Sequence, residues 1–413
     1  MNLQELIQAT LWDAGAKVFK ETSRSSHKLC VPGLVFLKYI SHAIDWGDGD
    51  TFPVEEKNLF RIPRESRWEY VLSRVNRLGI GSVLNKAMES IERFNPPVQR
   101  ILPMEYTSPD IREDQLALFI KKLGEIPGEY FRTGEILQQV YAFFARNLPV
   151  SGEKGPEPLS TPECVDKLLV EILGPVRGSI FDPCCGAGAL LVECRNYISQ
   201  LQGTTDGTVF YGQESRCTNF RLCRMNMAIH GMDGTHVKWS GVSSLDGDLH
   251  PGLKADYILC APPYNRDISR WLDYINSHLV YGGRAGIVLS NDSLSAETGM
   301  RDEVRKFLVE QHMVDCIVAL PDQLFRAAGM PACLWILGRG KSRKILFMDV
   351  WAGIPGDSLI NRYLTAVDIS RIAGVYRKWR DKKGYKDVKG FCRSVTVKTV
   401  RSRNYDLTPE MYV

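Results

Sequence analysis

Apolar positions along the chain follow two different rhythms, and the change falls near residue 150. Before it, Leu34, Leu37, Ile40 and Ile44 recur at three- and four-residue spacing, as do Leu116, Phe119, Ile120 and Leu123. That period lines one face of a helix, so residues 1–150 read as a mostly helical N-terminal domain. Gly47-Asp48-Gly49-Asp50 and Asn95-Pro96-Pro97 punctuate it. The polar, breaker-rich stretch Val150–Pro158 reads as a linker. Thr161-Pro162 then predicts a helix start, with Thr as N-cap and Pro at the first helical position. Val165, Leu168, Leu169 and Ile172 mark the buried face of that helix. Short apolar runs follow at helix-separated intervals: 179–181, 209–211, 257–260, 285–289, 314–319 and 332–337. Strands alternating with helices predict an open α/β sheet over 151–385. Ligands of such sheets sit at the carboxyl ends of the strands. Residues 340–413 read as basic and loop-rich, with 386–413 a C-terminal segment packed on the sheet domain.

Composition narrows this only a little. The 413 residues are 44% hydrophobic and 24% charged, which excludes a disordered or collagen-like chain. A net charge of +4 permits a polyanionic partner without arguing for one. Eleven cysteines without a CxxC pair, and seven scattered histidines, fit neither a zinc site nor a disulfide framework. They read as reduced thiols of a cytoplasmic protein. No apolar run reaches the roughly 18 residues of a membrane span, and no signal peptide is expected at Met1-Asn2-Leu3-Gln4-Glu5.

Three segments carry candidate chemistry. In Ser179-Ile180-Phe181-Asp182-Pro183-Cys184-Cys185-Gly186-Ala187-Gly188 a strand runs into a glycine turn and then a helix. Gly186 and Gly188 let backbone approach a ligand closely. The third glycine of a dinucleotide fingerprint is absent, and so is the Lys-Ser/Thr of a phosphate loop. Val209-Phe210-Tyr211-Gly212-Gln213-Glu214 is a second strand ending in an acid, and Glu214 can accept hydrogen bonds from a ribose diol. In Ala255–Tyr264 a third strand ends at Ala261-Pro262-Pro263-Tyr264. That loop is stiff, with bare carbonyl acceptors beside a ring able to stack on a planar substrate. Asn291 and Asp292 are weaker pocket candidates. The runs Arg339–Lys344 and Arg377–Lys383 read as solvated basic segments, with Trp379 anchoring a helix and Asp322 structural.

Together these segments resemble the gamma-type amino-methyltransferases, and more narrowly the modification subunit of type I restriction–modification systems. Phe36-Leu37-Lys38-Tyr39-Ile40-Ser41, Arg67-Trp68-Glu69-Tyr70, Gly212-Gln213-Glu214-Ser215, Gly283–Leu289, Asp315–Pro321, Val388–Cys392 and Tyr405–Pro409 extend the likeness over nearly the whole chain. The resemblance implies a Rossmann-like, seven-strand S-adenosylmethionine-dependent methyltransferase sheet with an N-terminal helical domain. It implies cofactor contacts from Thr161, Asp182, Pro183, Gly186, Gly188, Glu214 and position 242. Gly186 and Gly188 would hold the methionine part and Glu214 the ribose. It implies methylation at N6 of an adenine flipped out of DNA by an Asn-Pro-Pro-Tyr/Phe loop, here residues 261–264, with no metal. The Asn amide and the first proline carbonyl accept from the amino group while the ring stacks on the base. A specificity subunit or a second copy would be its protein partner. In that family the chain continues into a helical tail that docks the specificity subunit; this sequence stops at Val413.

The sequence departs from the family around that pocket. Ala261 stands where the family has Asn, and Val242 where it has the Asp that reads the cofactor's adenine. Glu157-Pro158-Leu159-Ser160-Thr161-Pro162 replaces Glu-Phe-Tyr-Thr-Pro. Three readings stay open: a weakened DNA adenine methyltransferase, a methyltransferase for a small non-DNA acceptor, and a silent subunit that binds DNA or a partner.

Overall fold

The computed structural model describes residues 11, 15, 29–45, 51–55, 58–131, 140, 161–263, 268–295, 299–322, 324–325, 331–338, 343–350 and 363–413. At 44–45, 51–55, 58–60 and 299–302 it describes backbone alone. The chain divides into two units. The first takes residues 1–155, 186–189 and 216–241, and the second takes 156–185, 190–215 and 242–413. The sequence suggests a single boundary near 150; the chain instead returns to the first unit twice more.

The first unit opens with α1 (Cys30–Asp45), a hairpin of β1 (Thr51–Glu55) and β2 (Asn58–Arg61), α2 (Trp68–Arg74), α3 (Ile80–Phe94) and α4 (Glu113–Glu125). The antiparallel hairpin is the exception to the helical reading. Leu34, Leu37 and Ile40 of α1 and Leu116, Phe119, Ile120 and Leu123 of α4 are fully buried, as their spacing predicts. Lys38 is buried among them. Its ammonium donates to the carbonyls of Leu123 (2.7 Å), Gly124 (3.4 Å) and Ile126 (2.6 Å), groups that the end of α4 leaves without helical partners. It also lies over the Phe131 ring at 4.5 Å.

The chain goes on through α5 (Glu163–Leu173), β3 (Gly178–Asp182), α6 (Ala189–Gln202), β4 (Thr208–Glu214), α7 (Cys217–Ile229), β5 (Val237–Trp239), β6 (Ala255–Cys260), α8 (Ile268–His278), β7 (Leu279–Ser290), α9 (Gly299–Glu310), β8 (Val314–Ala319), β9 (Ala332–Gly338), β10 (Lys344–Asp349), α10 (Ala366–Arg380), β11 (Cys392–Thr396) and α11 (Val397–Ser402). Of these, α7 and β5 belong to the first unit. Leu222, Met225, Ala228 and Ile229 of α7 complete the first unit's apolar core.

Eight strands of the second unit lie side by side in the order β11-β10-β8-β9-β7-β6-β3-β4. β4, β3, β6 and β7 run parallel, so Asp182, Glu214, Cys260 and Ser290 all come to one edge. β9 is antiparallel to β7 and β8, and β11 to β10. The sheet thus exceeds the seven strands that the resemblance implies. Phe181, Ile258, Ile287, Ile317, Trp335 and Phe347 are its buried centre.

Two expectations need correction. The described residues of 340–413 are not loop-rich: Ile345–Met348 form a fully buried strand, and Thr365 and Asp368 cap α10 reciprocally. There Trp379 Nε1 donates to Ser394 Oγ at 2.8 Å and ties α10 to β11, and the Tyr412 ring stacks on Phe347 at 4.1 Å. Thr161 is not the N-cap of α5, because the helix begins one residue later, with Pro162 in the cap position. A proline already locked at φ −59° with extended ψ suits the residue before a helix as well as its first residue. Of the run 339–344, residues 339–342 lie outside the described residues.

Candidate active site

β3 delivers Asp182 to the carboxyl edge with 2% of its surface exposed. Its Oδ1 accepts from the Cys184 N–H at 3.0 Å. Burial pushes this carboxyl up to about 7, and the neighbouring Glu214 charge pushes the same way. The Pro183 carbonyl accepts from the Ser244 hydroxyl, and the Cys185 N–H donates to the Gln213 carbonyl at 3.0 Å. Cys184 shares a hydrogen bond with the thiol of Cys260, the last residue of β6. That bond and burial hold the Cys184 thiol well above the usual range.

The turn that follows needs its glycines for different reasons. Gly186 has φ +52°, and a Cβ built there meets nothing within 4 Å. Open space over a left-handed backbone is what a ligand lying on the turn requires. Gly188 has φ +83°, and its Cβ would come within 2.7 Å of Cys223 Sγ, so this glycine serves close packing. The intervening Ala187 carbonyl accepts from Asn226 Nδ2 at 3.0 Å.

Glu214 ends β4, 7% exposed, with Oε1 accepting from the Ser215 N–H at 2.7 Å and its hydroxyl at 3.2 Å. Beside it the 243–250 loop is latched to β4. Gln213 donates to the Gly247 carbonyl at 2.6 Å and accepts from the Leu249 N–H at 2.9 Å. His250 Nε2 lies 2.9 Å from the Gly212 carbonyl, its ring edge-on to Tyr211 and Phe181. Val242 enters this loop 48% exposed.

β6 ends at fully buried Cys260. Ala261 is half-buried, Pro262 buried and Pro263 exposed, while Tyr264 lies outside the described residues. Thr161 is half-buried ahead of α5. At the end of β7, adjacent to β6, Ser290 Oγ and Asn291 Oδ1 are buried without a hydrogen-bond partner. Asp182, Pro183, Glu214, Val242 and Ala261–Pro263 thus belong to the second unit, and Gly186 and Gly188 to the first. Gln213, Ser244 and His250 are site-building residues that sequence reasoning missed. Gln213 sits within a segment that carried the resemblance, but nothing in the sequence marks His250. Among the described residues no group of three His, Cys, Asp or Glu could hold a metal, and no helix is long and apolar enough to cross a membrane.

Within the second unit, the buried Asp182 carboxyl fits a ligand bearing positive charge, as S-adenosylmethionine does in its sulfonium and ammonium groups. Glu214 fits a diol. Position 242 offers no acceptor.

Comparison with known proteins bears on this edge. A family model described as N-6 DNA Methylase matches residues 132–270 and 265–413. The chain is 31% identical to the type I restriction enzyme HindI methylase subunit of Haemophilus influenzae over 400 residues, covering 85% of this chain and 89% of that one. It is 25% identical to the MjaIX methylase subunit of Methanocaldococcus jannaschii, covering 98% and 83%. The crystal structure of the type I restriction-modification methyltransferase subunit from Streptococcus thermophilus superposes with a TM-score of 0.75 over the whole of both chains at 21% identity. With that fold, that sequence match and that family model, the chain belongs to the N-6 DNA methylase family of S-adenosylmethionine-dependent methyltransferases.

Proposed function

We propose that the chain transfers a methyl group to the N6 amino group of adenine in DNA, with one acceptor fewer than the reaction ordinarily uses. What supports this reading is that β6 ends at Cys260 and leads into Ala261-Pro262-Pro263 at the same carboxyl edge as Asp182 and Glu214. On the family resemblance, Ala261 would stand where the catalytic amide does, with Pro262 and Pro263 kept beside it. When bound, S-adenosylmethionine supplies a methyl group made electrophilic by its sulfonium. The adenine N6 would be the acceptor of that group. This chain's part is to hold and orient. Asp182 holds the charged end of the cofactor and Glu214 its ribose. The Pro262 carbonyl accepts from the amino group, and Tyr264 stacks on the base. The orphaned Ser290 and Asn291 oxygens at the same edge support a polar substrate there. DNA is the proposed substrate, in keeping with the N-6 DNA Methylase family model, and a specificity subunit is the proposed partner on the strength of the family resemblance.

An alanine accepts no hydrogen bond. Loss of one such group typically costs about 2.7–4 kcal/mol, or roughly 10²–10³ in rate. Ala261→Asn should therefore raise methylation of duplex DNA, with a specificity partner present, by about 10²-fold or more, read with labelled cofactor. If the variant binds cofactor and transfers no faster, the reading fails. Exposed, apolar Val242 favours a second reading, a smaller acceptor than DNA. Transfer to a nucleoside or amine but to no duplex would select it.

A further inference from the structure

The opposite edge of the same sheet carries a cleft that the methyl-transfer reading does not use. It lies where β3, β6 and β7 begin, and its volume is about 410 Å³. Arg177, Tyr257, Tyr281 and Arg284 line it, over a floor that includes Gly178 and Gly282. Gly282 has φ +83° and open space where a Cβ would be, so bare backbone faces the cleft there. The acid in the lining, Asp256, is already engaged: its Oδ2 accepts from the Ser179 N–H and hydroxyl, both at 2.8 Å.

The two arginines are held differently, and neither has a carboxylate within ion-pair distance among the described residues. The Arg284 guanidinium lies 5.1 Å from the centre of the buried Tyr257 ring and donates to its hydroxyl at 3.2 Å. It is therefore preorganised and keeps other donors to spend. Arg177 is exposed and makes no hydrogen bond to a described residue. Arg377 and Arg380 lie near Arg284, each sharing a neighbour with it, at Tyr197 and Asp315 respectively. Arg377 is paired with Glu171 at 3.6 Å and Asp315 is an acid, so the charge they add is small. Tyr281 is 78% exposed, and its ring has no partner among the described residues. A large aromatic ring standing in solvent beside two unpaired guanidinium groups suits a ligand with an anionic end and a flat end.

We propose that this cleft binds a free nucleoside monophosphate, with Arg177 and Arg284 on the phosphate and Tyr281 against the base. Its edge of the sheet is the one away from Asp182, Glu214 and Ala261, so it is separate from the methyl-transfer site and does not depend on how that site works.

The test is calorimetric titration of the full chain with adenosine 5′-monophosphate at low salt, with S-adenosylhomocysteine saturating the cofactor site. We expect one saturable site, with inorganic phosphate and adenosine each at least about tenfold weaker than the nucleotide. Arg177→Gln should weaken binding about tenfold, the usual worth of a charge-assisted hydrogen bond. Because Arg177 is exposed, its variant keeps the wild-type melting temperature. Tyr281→Ala should weaken the nucleotide several-fold and leave inorganic phosphate unchanged. No binding at millimolar nucleotide, or binding unmoved by both substitutions, would overturn the proposal. Tighter binding of a 5′-phosphorylated oligonucleotide than of the mononucleotide would overturn the assignment to a free nucleotide.

Discussion

Asp182→Asn should make the protein more stable above neutral pH while weakening its hold on cofactor. Burial raises the Asp182 carboxyl from 3.8 to about 7. Between those values the folded chain holds a proton that the unfolded chain has released, so stability falls as pH rises through the window. The full effect is on the order of 4 kcal/mol, present above about pH 7 and absent below about pH 4. Asparagine has no charge to desolvate and can still accept from the Cys184 N–H. Its two amide hydrogens need partners, and leaving them buried without any costs about 1–3 kcal/mol. The net gain at pH 8 is then about 1–3 kcal/mol, and at pH 4, where only the amide penalty is left, the variant is about 1–3 kcal/mol less stable than the wild type. The loss of one negative charge also relieves Asp166, a buried acid held well above its usual range by desolvation and by Glu193, Asp182 and Glu163 in that order. Urea unfolding of both proteins across this range measures the difference. Stability curves that run parallel from acid to neutral pH would refute the argument. Calorimetry in buffers of different ionisation heat provides a second reading. Cofactor binding near pH 6 should release a proton from the wild type and none from the variant, because a cationic ligand favours the carboxylate.

Further outcomes follow from other parts of the fold. Gly188→Ala, at φ +83° and 2.7 Å from Cys223 Sγ, should lose about 1–3 kcal/mol of stability from backbone strain. Adding Cys223→Ala should restore only the steric part in the same denaturation assay. Lys38→Met should lower the melting temperature by leaving three carbonyls at the end of α4 without their donor, at about 1–3 kcal/mol for each that water does not reach. Burial lowers the Lys38 ammonium from 10.5 to about 8. Wild-type stability should therefore gain a rising component between those pH values, as the folded chain releases the proton first, and the variant should lack it. His250→Ala removes the 2.9 Å contact to the Gly212 carbonyl and a buried ring packed on Tyr211 and Phe181, and should weaken cofactor binding several-fold and lower the melting temperature as well, by calorimetry and melting together.

Much of the sheet can be read from short apolar runs because β3, β6, β8 and β9 are buried and carry almost no polar residue to confuse the pattern. β11 escaped because Cys392-Arg393-Ser394-Val395-Thr396 is an edge strand whose two buried residues, Cys392 and Val395, are separated by polar ones and follow no alternation. β10 escaped because basic residues flank it, although Ile345–Met348 is as apolar as any strand that was recognised. The Thr365–Asp368 capping box was a visible signal for α10. In the site, Gly186, Gly188 and Glu214 stand out because a turn and a strand end are local features. The Gln213 and His250 latches join residues 34 to 38 positions apart, and no periodicity reports such pairings. The Cys184–Cys260 thiol pair joins the turn after β3 to the last residue of β6 and is equally silent in the sequence.

The two returns of the chain to the first unit limit how this protein can be dissected. A fragment ending at residue 150 would lack Leu222, Met225, Ala228 and Ile229 of its own core, and so would expose a groove instead of a finished surface. Removing residues 1–150 would strand α7 with its apolar face unpaired. Neither unit is a cassette that can be exchanged between relatives by splicing at one junction. A chimera that keeps its solubility has to carry residues 216–241 together with the N-terminal part from the same parent.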